Sequence, residues 1–155
     1  MALLQTNLAA KALNQTKVVT LLKRVVPPLD RFLLKISRGW INTAMQSVML
    51  LETTGAKSGQ TRQLATLCMP FNGDLILVGS NWGQERHPAW VHNLRANPTA
   101  RVRFRGYVGT VTATELEPEQ RDRVWPQLVK FNPQYAQYQA NTSRTLPVFT
   151  LSPNP

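Results

Sequence analysis

Beyond Val48 the chain is cut into short apolar runs by glycine, asparagine and proline, and this punctuation limits the fold more than any other feature. Val48 to Thr54 and Arg62 to Pro70 read as strands, joined through Gly55 to Thr61 as a hairpin. Asn72-Gly73-Asp74 turns the chain into Leu75 to Ser80, an apolar run suited to a buried strand, and Asn81 to Glu85 reads as a loop. A short helix opens at His87-Pro88 and stops at Asn97-Pro98, because the residue before a proline is pushed out of helical geometry. Ala100 to Arg105 and Tyr107 to Leu116 make a second hairpin around Gly106. A helix headed by Pro118 runs to Phe131, with Glu117 and Glu119 at its positive end. Pro133 to Ala140 adds one or two helical turns, and Pro147 to Leu151 is a closing strand. This order predicts an α+β domain of about six mostly antiparallel strands, curled into a small barrel with flanking helices, rather than a doubly wound sheet.

A chain of 155 residues buries enough surface to fold without disulfides or structural metal, and its one cysteine, Cys68, has no partner within the chain. That lone thiol and the absence of a convincing signal or transmembrane run lead us to expect a cytoplasmic protein. The formal charge of +10 is unevenly spread. Lys11, Lys17, Lys23, Arg24, Arg31, Lys35 and Arg38 face Asp30 alone in the first forty residues, which hold more than half of the excess. The division expected is a basic amphipathic helical arm over 1–44 and a moderately basic domain over 45–155.

The arm reads as two helices split at Pro27-Pro28. In the second, Leu29, Phe32, Leu33, Ile36 and Trp40 recur at helical spacing, with Arg31, Lys35 and Arg38 elsewhere on the wheel. Two readings stand side by side: a helix lying in an anionic membrane interface on the inner face of the cell membrane, and a helix packed on the domain with a solvated outer face.

The common catalytic patterns are missing. His87 and His92 are five residues apart, which is poor spacing for a zinc site on one helix face, and no metal is expected. Cys68 lies in an apolar run, Leu64 to Met69, as a core thiol would. Gly55-Ala56-Lys57-Ser58-Gly59 lacks the flanks of a nucleotide triphosphatase loop, since strands stand on both sides. Even so, Thr53 to Arg62 brings two cations, two glycines and four hydroxyls to one hairpin tip. Such a tip is either an anion site or a solvated turn. A second loop favours the first reading: Ser80 to Leu94 holds Trp82, Trp90 and several hydrogen-bonding groups, which suits a flat heterocycle.

Four motifs occur in order: T-T-G-x-K-S-G-Q-x-R (Thr53 to Arg62), Gly79-Ser80 near a strand end, H-P-A-W-x-x-N-L-x-A-N-P (His87 to Pro98), and P-Q-Y-x-x-Y-Q-x-x-T-x-R-x-L-P-V (Pro133 to Val148). Together, over about residues 45 to 153, they resemble the deazaflavin-dependent nitroreductase and quinone reductase family. The resemblance implies a split β-barrel that uses reduced coenzyme F-420, an 8-hydroxy-5-deazaflavin. It implies that Lys57, Ser58, Gly59 and Arg62 grip the anionic phosphate and oligoglutamate tail. Leu64, Ala65 and Thr66 would lie along the deazaflavin, while Ser80, Asn81, Pro88, Ala89 and Trp90 would frame the phosphate, ring and substrate pocket. Ser80, Tyr135 and Tyr138 match positions near the substrate, where a hydroxyl stabilises charge or relays a proton. The implied chemistry is hydride delivery from C5 of the reduced deazaflavin to a quinone or nitroaromatic. Ala56 stands where many members carry Arg, and Asn132 where some carry an aromatic. Split barrels of this kind are often homodimers.

The alternative to the reductase is a non-catalytic barrel that binds a lipid or another cofactor at the membrane. A nucleic-acid partner is not expected, because the basic residues are not interleaved with aromatics on a strand platform or recognition helix.

Overall fold

The strands lie in one antiparallel sheet whose two edges are almost adjacent in sequence. In the computed structural model, which describes residues 24–37, 39 and 47–155, they are β1 (Val48–Thr54), β2 (Thr61–Leu67), β3 (Met69–Phe71), β4 (Asp74–Val78), β5 (Thr99–Phe104), β6 (Tyr107–Glu115) and β7 (Val148–Pro153). Their order across the sheet is β2-β1-β5-β6-β7-β4-β3. Only Cys68 separates β2 from β3, so the chain steps from one edge of the sheet to the other in a single residue. A flat sheet cannot make that step. The sheet therefore curls until its edges meet, which gives the split barrel expected from the motifs.

Seven strands form among the described residues, not about six. The difference lies in the apolar run from Arg62 to Pro70, which reads as one strand but changes partner at Cys68: its N–H still meets Ser47 O at 2.8 Å, in register with the β1–β2 ladder, and Met69 then pairs with Ile76 of β4. Pro70 then falls on edge strand β3, where a missing donor costs no interior ladder bond.

Side chains alternate between two cores because successive strand residues point to opposite faces. Met49 and Leu51 of β1, Leu77 of β4, Val102 and Phe104 of β5, Val111 and Ala113 of β6, and Phe149 and Leu151 of β7 fill the barrel. Helix α2 (Ala89–Ala96) closes its mouth with Trp90, Val91 and Leu94, and the Trp90 ring meets Phe149 edge-on at 5.6 Å. The opposite face of β4 and β7 presents Ile76, Val78 and Val148 to α3 (Pro118–Phe131) and α4 (Gln134–Ala140), through Val124, Leu128 and Tyr135.

Helix α1 covers residues 24–36 and crosses Pro27-Pro28 without a break, against the expectation of two helices. Proline's fixed φ is itself helical, and each ring forfeits a single backbone bond, so a break is not obligatory. Leu34 packs on Val48 and Leu50, on the outside of the barrel. Burying it contributes about 2 kcal/mol. Gly39, at φ +87°, then turns the chain so tightly that a Cβ there would strike the backbone of Phe104, and its carbonyl accepts from Arg105 at 2.8 Å. The expectations for residues 1–23, for Arg38 and for Trp40 lie outside the described residues. No helix among the described residues is long and apolar enough to cross a membrane.

Candidate active site

The hairpin tip between β1 and β2 closes by its own backbone. Gly55 donates to Gln60 O, Gly59 donates to Gly55 O, both at 2.8 Å, and Ser58 Oγ accepts from the Gln60 N–H at 3.3 Å. Asn93, buried on α2, fixes this tip in space. Its Nδ2 donates to Thr53 Oγ1 at 3.0 Å, and its Oδ1 accepts from the Ala56 N–H at 2.9 Å. The tip consequently sits over the first turns of α2.

Between them lies a cavity of about 1080 Å³. Leu64, Pro88, Ala89 and Trp90 give it apolar walls, and Lys57, Ser58 and Arg62 stand at the end formed by the hairpin tip. No Asp or Glu is among its lining residues. Arg95 also lines it, but Glu115 holds that guanidinium through two bonds of 2.7 Å, and the same contact keeps the Glu115 carboxyl below its ordinary pKa. Among the described residues no ion pair engages Lys57 or Arg62. Their charge is available to a ligand. A second cavity of about 570 Å³, lined by Glu85, Arg86 and His87, continues the first across Asn81, Pro88, Ala89 and His92.

On the other side of the α2 N-terminus runs the loop from Gly79 to Pro88. It contains a 3-10 turn, Asn81–Gly83, in which Asn81 and Trp82 both hold positive φ, at 44° and 59°. Two left-handed non-glycine residues in succession cost about 1–3 kcal/mol each. Asn81 Nδ2 donates to Arg86 O at 2.8 Å, which folds the loop back on itself. Trp82 is 68% exposed, with its ring edge-on to Tyr138 of α4 at 6.1 Å.

Of the residues expected to hold the cofactor, Lys57, Ser58, Arg62, Leu64, Asn81, Pro88, Ala89 and Trp90 come together around the large cavity. Gly59, Ala65, Thr66 and Ser80 do not line it. Ala65 packs on the outer face with Leu34 and Leu50. The three hydroxyls do not converge on the cavity either. Ser80 is half-buried in the Gly79–Pro88 loop, and Tyr138 donates to Gln134 Oε1 at 2.8 Å. Tyr135 is buried in the outer core, where desolvation pushes its phenol up to about 12. Sequence reasoning missed Gln63, His92, Asn93, Arg95 and Ala96 as cavity residues. Asn93 lies within the recognised H-P-A-W-x-x-N motif, so its position was marked while its role was not.

No group of three or more His, Cys, Asp or Glu among the described residues could hold a metal ion. The donor set fits instead an elongated, partly aromatic organic anion: an apolar slot with uncompensated cations at one end.

The curled sheet, the plugging helix and this slot define a split-barrel cofactor-binding protein. Residues 33–153 match the family described as F420H(2)-dependent quinone reductase. An F420H(2)-dependent quinone reductase of Mycobacterium tuberculosis is 39% identical over 109 residues, which covers 67% of this chain and 72% of that one. A solved F420-H2 dependent reductase is 40% identical with a TM-score of 0.63, over 68% of this chain and 94% of its own. A further solved chain, described as a domain-swapped dimer, has the same identity and TM-score over 68% of this chain and 80% of its own. HutZ, the heme storage protein of Vibrio cholerae, is 14% identical with a TM-score of 0.51 and shares the fold alone, over 79% of this chain and 88% of its own. The chain belongs to the F420H(2)-dependent quinone reductase family, and is an oxidoreductase with coenzyme F420 as its cofactor.

Proposed function

We propose that this chain reduces a quinone-like acceptor, or a nitroaromatic in its place, with coenzyme F420 seated in the large cavity beneath the Gly55–Gln60 tip. One observation carries the reading: free cations stand at one end of an apolar slot whose lining contains no carboxylate. Lys57 and Arg62, with Ser58 and Gly59 beside them, bind the phosphate and carboxylates of the tail by charge-assisted hydrogen bonds. Leu64, Pro88, Ala89 and Trp90 hold the ring plane and exclude water, and Thr66 follows Leu64 on the same face of β2. Asn81 borders the ring from the opposite loop. Bound there, the reduced deazaflavin supplies a hydride from C5.

The protein's own contribution is orientation and proton handling. Ser80 and Tyr138, half-buried on the α4 side of the Gly79–Pro88 loop, are the hydroxyls we assign to the acceptor's oxygen, whereas Tyr135 is enclosed in the outer core. Burial raises the Tyr138 phenol above its ordinary value, and the proton it now gives to Gln134 Oε1 is the one an acceptor would take up in a hydrogen bond. Purified protein mixed with reduced F420 and menadione should oxidise the coenzyme faster than the protein-free control. Protein that neither binds the coenzyme nor oxidises it ends the reading.

We further infer a division of labour between residues 1–44, an arm holding the protein against anionic lipid on the inner face of the cell membrane, and the cofactor domain over 45–155. The support is an exposed stripe on α1, Val25, Leu29, Phe32 and Ile36, beside exposed Arg24, Arg31 and Lys35. Phe32→Glu with Ile36→Glu should abolish co-sedimentation with anionic vesicles while the barrel stays folded. Equal sedimentation returns α1 to packing alone. The domain-swapped relative supports a homodimer for this chain too, and a monomer mass by light scattering rejects it.

A further inference from the structure

We propose that Arg144 is a positioning residue for the cavity: its guanidinium sets the conformation of the Gly79–Pro88 loop, from which Asn81 and Pro88 face the cofactor. The proposal rests on the F420 reading of that cavity. Arg144 lies on the far side of the loop, between α4 and β7, and is not among the cavity's lining residues. Its Nη2 donates to Ser80 O at 2.8 Å and its Nε to Gln84 O at 2.8 Å. Its Nη1 reaches Gly79 O at 3.0 Å and His87 Nδ1 at 2.9 Å. Three backbone carbonyls, at 79, 80 and 84, thus bracket the turn that holds the two left-handed residues. A strained turn persists only where its surroundings over-determine it, and one side chain supplies much of that determination here.

The backbone that carries Arg144 is itself held in place. Gln139 Nε2 donates to Arg144 O at 2.8 Å, Gln139 Oε1 accepts from the Leu146 N–H at 2.9 Å, and Arg121 Nε donates to Leu146 O at 2.9 Å. Next to it, Ser143 donates to Glu85 from its backbone N–H and its hydroxyl, both at 3.0 Å. The loop is sewn to residues 143 and 144 at each of its bends. Lysine cannot reproduce this pattern, because it offers a point charge where arginine offers a planar fork.

His87 couples the clamp to pH. Because Arg144 can only donate, Nδ1 of His87 must accept and be unprotonated. Burial lowers the His87 pKa first, then the facing charges of Arg144 and Arg95 and the neighbouring His92 ring, whereas Glu115 acts the other way. Protonation in acid would set donor against donor and release the loop.

The test compares full-length wild type with Arg144→Lys and Arg144→Ala. In the protein without cofactor, the imidazole of His87 is titrated by NMR, with folding checked by circular dichroism. In the presence of reduced F420 and menadione, KM and kcat are measured separately. For folded Arg144→Lys we expect KM for reduced F420 to rise roughly tenfold with kcat within about twofold, as misplacement of a binding loop predicts. His87 should titrate at higher pH, and added guanidinium should restore part of the affinity lost in Arg144→Ala. Wild-type KM together with a wild-type His87 titration in folded Arg144→Lys overturns the proposal. Failure of Arg144→Lys to fold also overturns it, since Arg144 would then serve the fold rather than the loop. If wild type itself binds no F420, the cofactor reading fails, and an unshifted His87 in the cofactor-free variant still overturns the clamp while a raised one upholds it.

Discussion

Two loops border the same cavity and are stabilised in opposite ways. The Gly55–Gln60 tip closes on its own backbone and, among the described residues, is fixed from outside by the neutral amide of Asn93. The Gly79–Pro88 loop carries two left-handed residues and is tied down by a charged group at a distant point of the chain. A self-closed loop leaves its cations free for a ligand. A strained loop spends its polar groups on holding its own shape, so it offers the ligand shape rather than charge.

That contrast can be broken most forcefully at the tip. Lys57→Ala with Arg62→Ala should weaken F420 binding about 100-fold, two charge-assisted contacts at about 1.5 kcal/mol each, and should flatten the salt dependence of binding. Stability should change by no more than about 0.5 kcal/mol, since neither side chain is paired in the fold. Fluorescence titration at several ionic strengths checks the first point, and unchanged affinity would move the anion site elsewhere. Asn93→Ala comes next. It leaves buried Thr53 Oγ1 and the Ala56 N–H without their partner, so urea denaturation should show a loss of about 2 kcal/mol. A full-strength fold after that substitution would show that the tip needs no outside anchor.

A smaller effect probes the barrel behind both loops. Burial raises Cys68 from 9.0 to about 12 and Tyr135 from 10.0 to about 12. Both folded values exceed the unfolded ones, so the stability they contribute is complete below pH 9 and is lost as pH rises towards 12. Thermal melts should show about 1–2 kcal/mol lost by pH 10, and Cys68→Ala should recover most of it. A melting temperature level across that range would place both groups in water. Smallest of all, Ala56→Arg should tighten F420 binding about threefold by adding one exposed cation to the tip. Equal or weaker titration would show that the two existing cations already saturate the tail.

How far the sequence went depended on the range of the forces involved. Helix α3 was legible to the residue because Glu117, Pro118 and the residue before Pro133 mark its ends locally. Strand β1 was legible for the same reason, and so was the hairpin tip that follows it, whose parts are contiguous from Thr53 to Arg62. The break at Cys68 was hidden, because it comes from a change of partner strand, from β1 to β4, and not from any turn residue. Asn93 reaches 37 and 40 residues back to its partners, and Arg144 reaches about as far as 65. Nothing in local spacing announces such contacts. Pro27-Pro28 misled in the other direction, since a strong local signal for a break was overridden.

The step through Cys68 has one more consequence. Every hydrogen bond of the sheet could persist if the sheet opened flat, because β2 and β3 are its edges and are not neighbours in the ladder. What keeps the cylinder shut at that seam is a covalent link one residue long. A chain cut there and rejoined at its ends would keep its strand order while losing the tether that sets its curvature, and the slot beside Leu64 would widen with it.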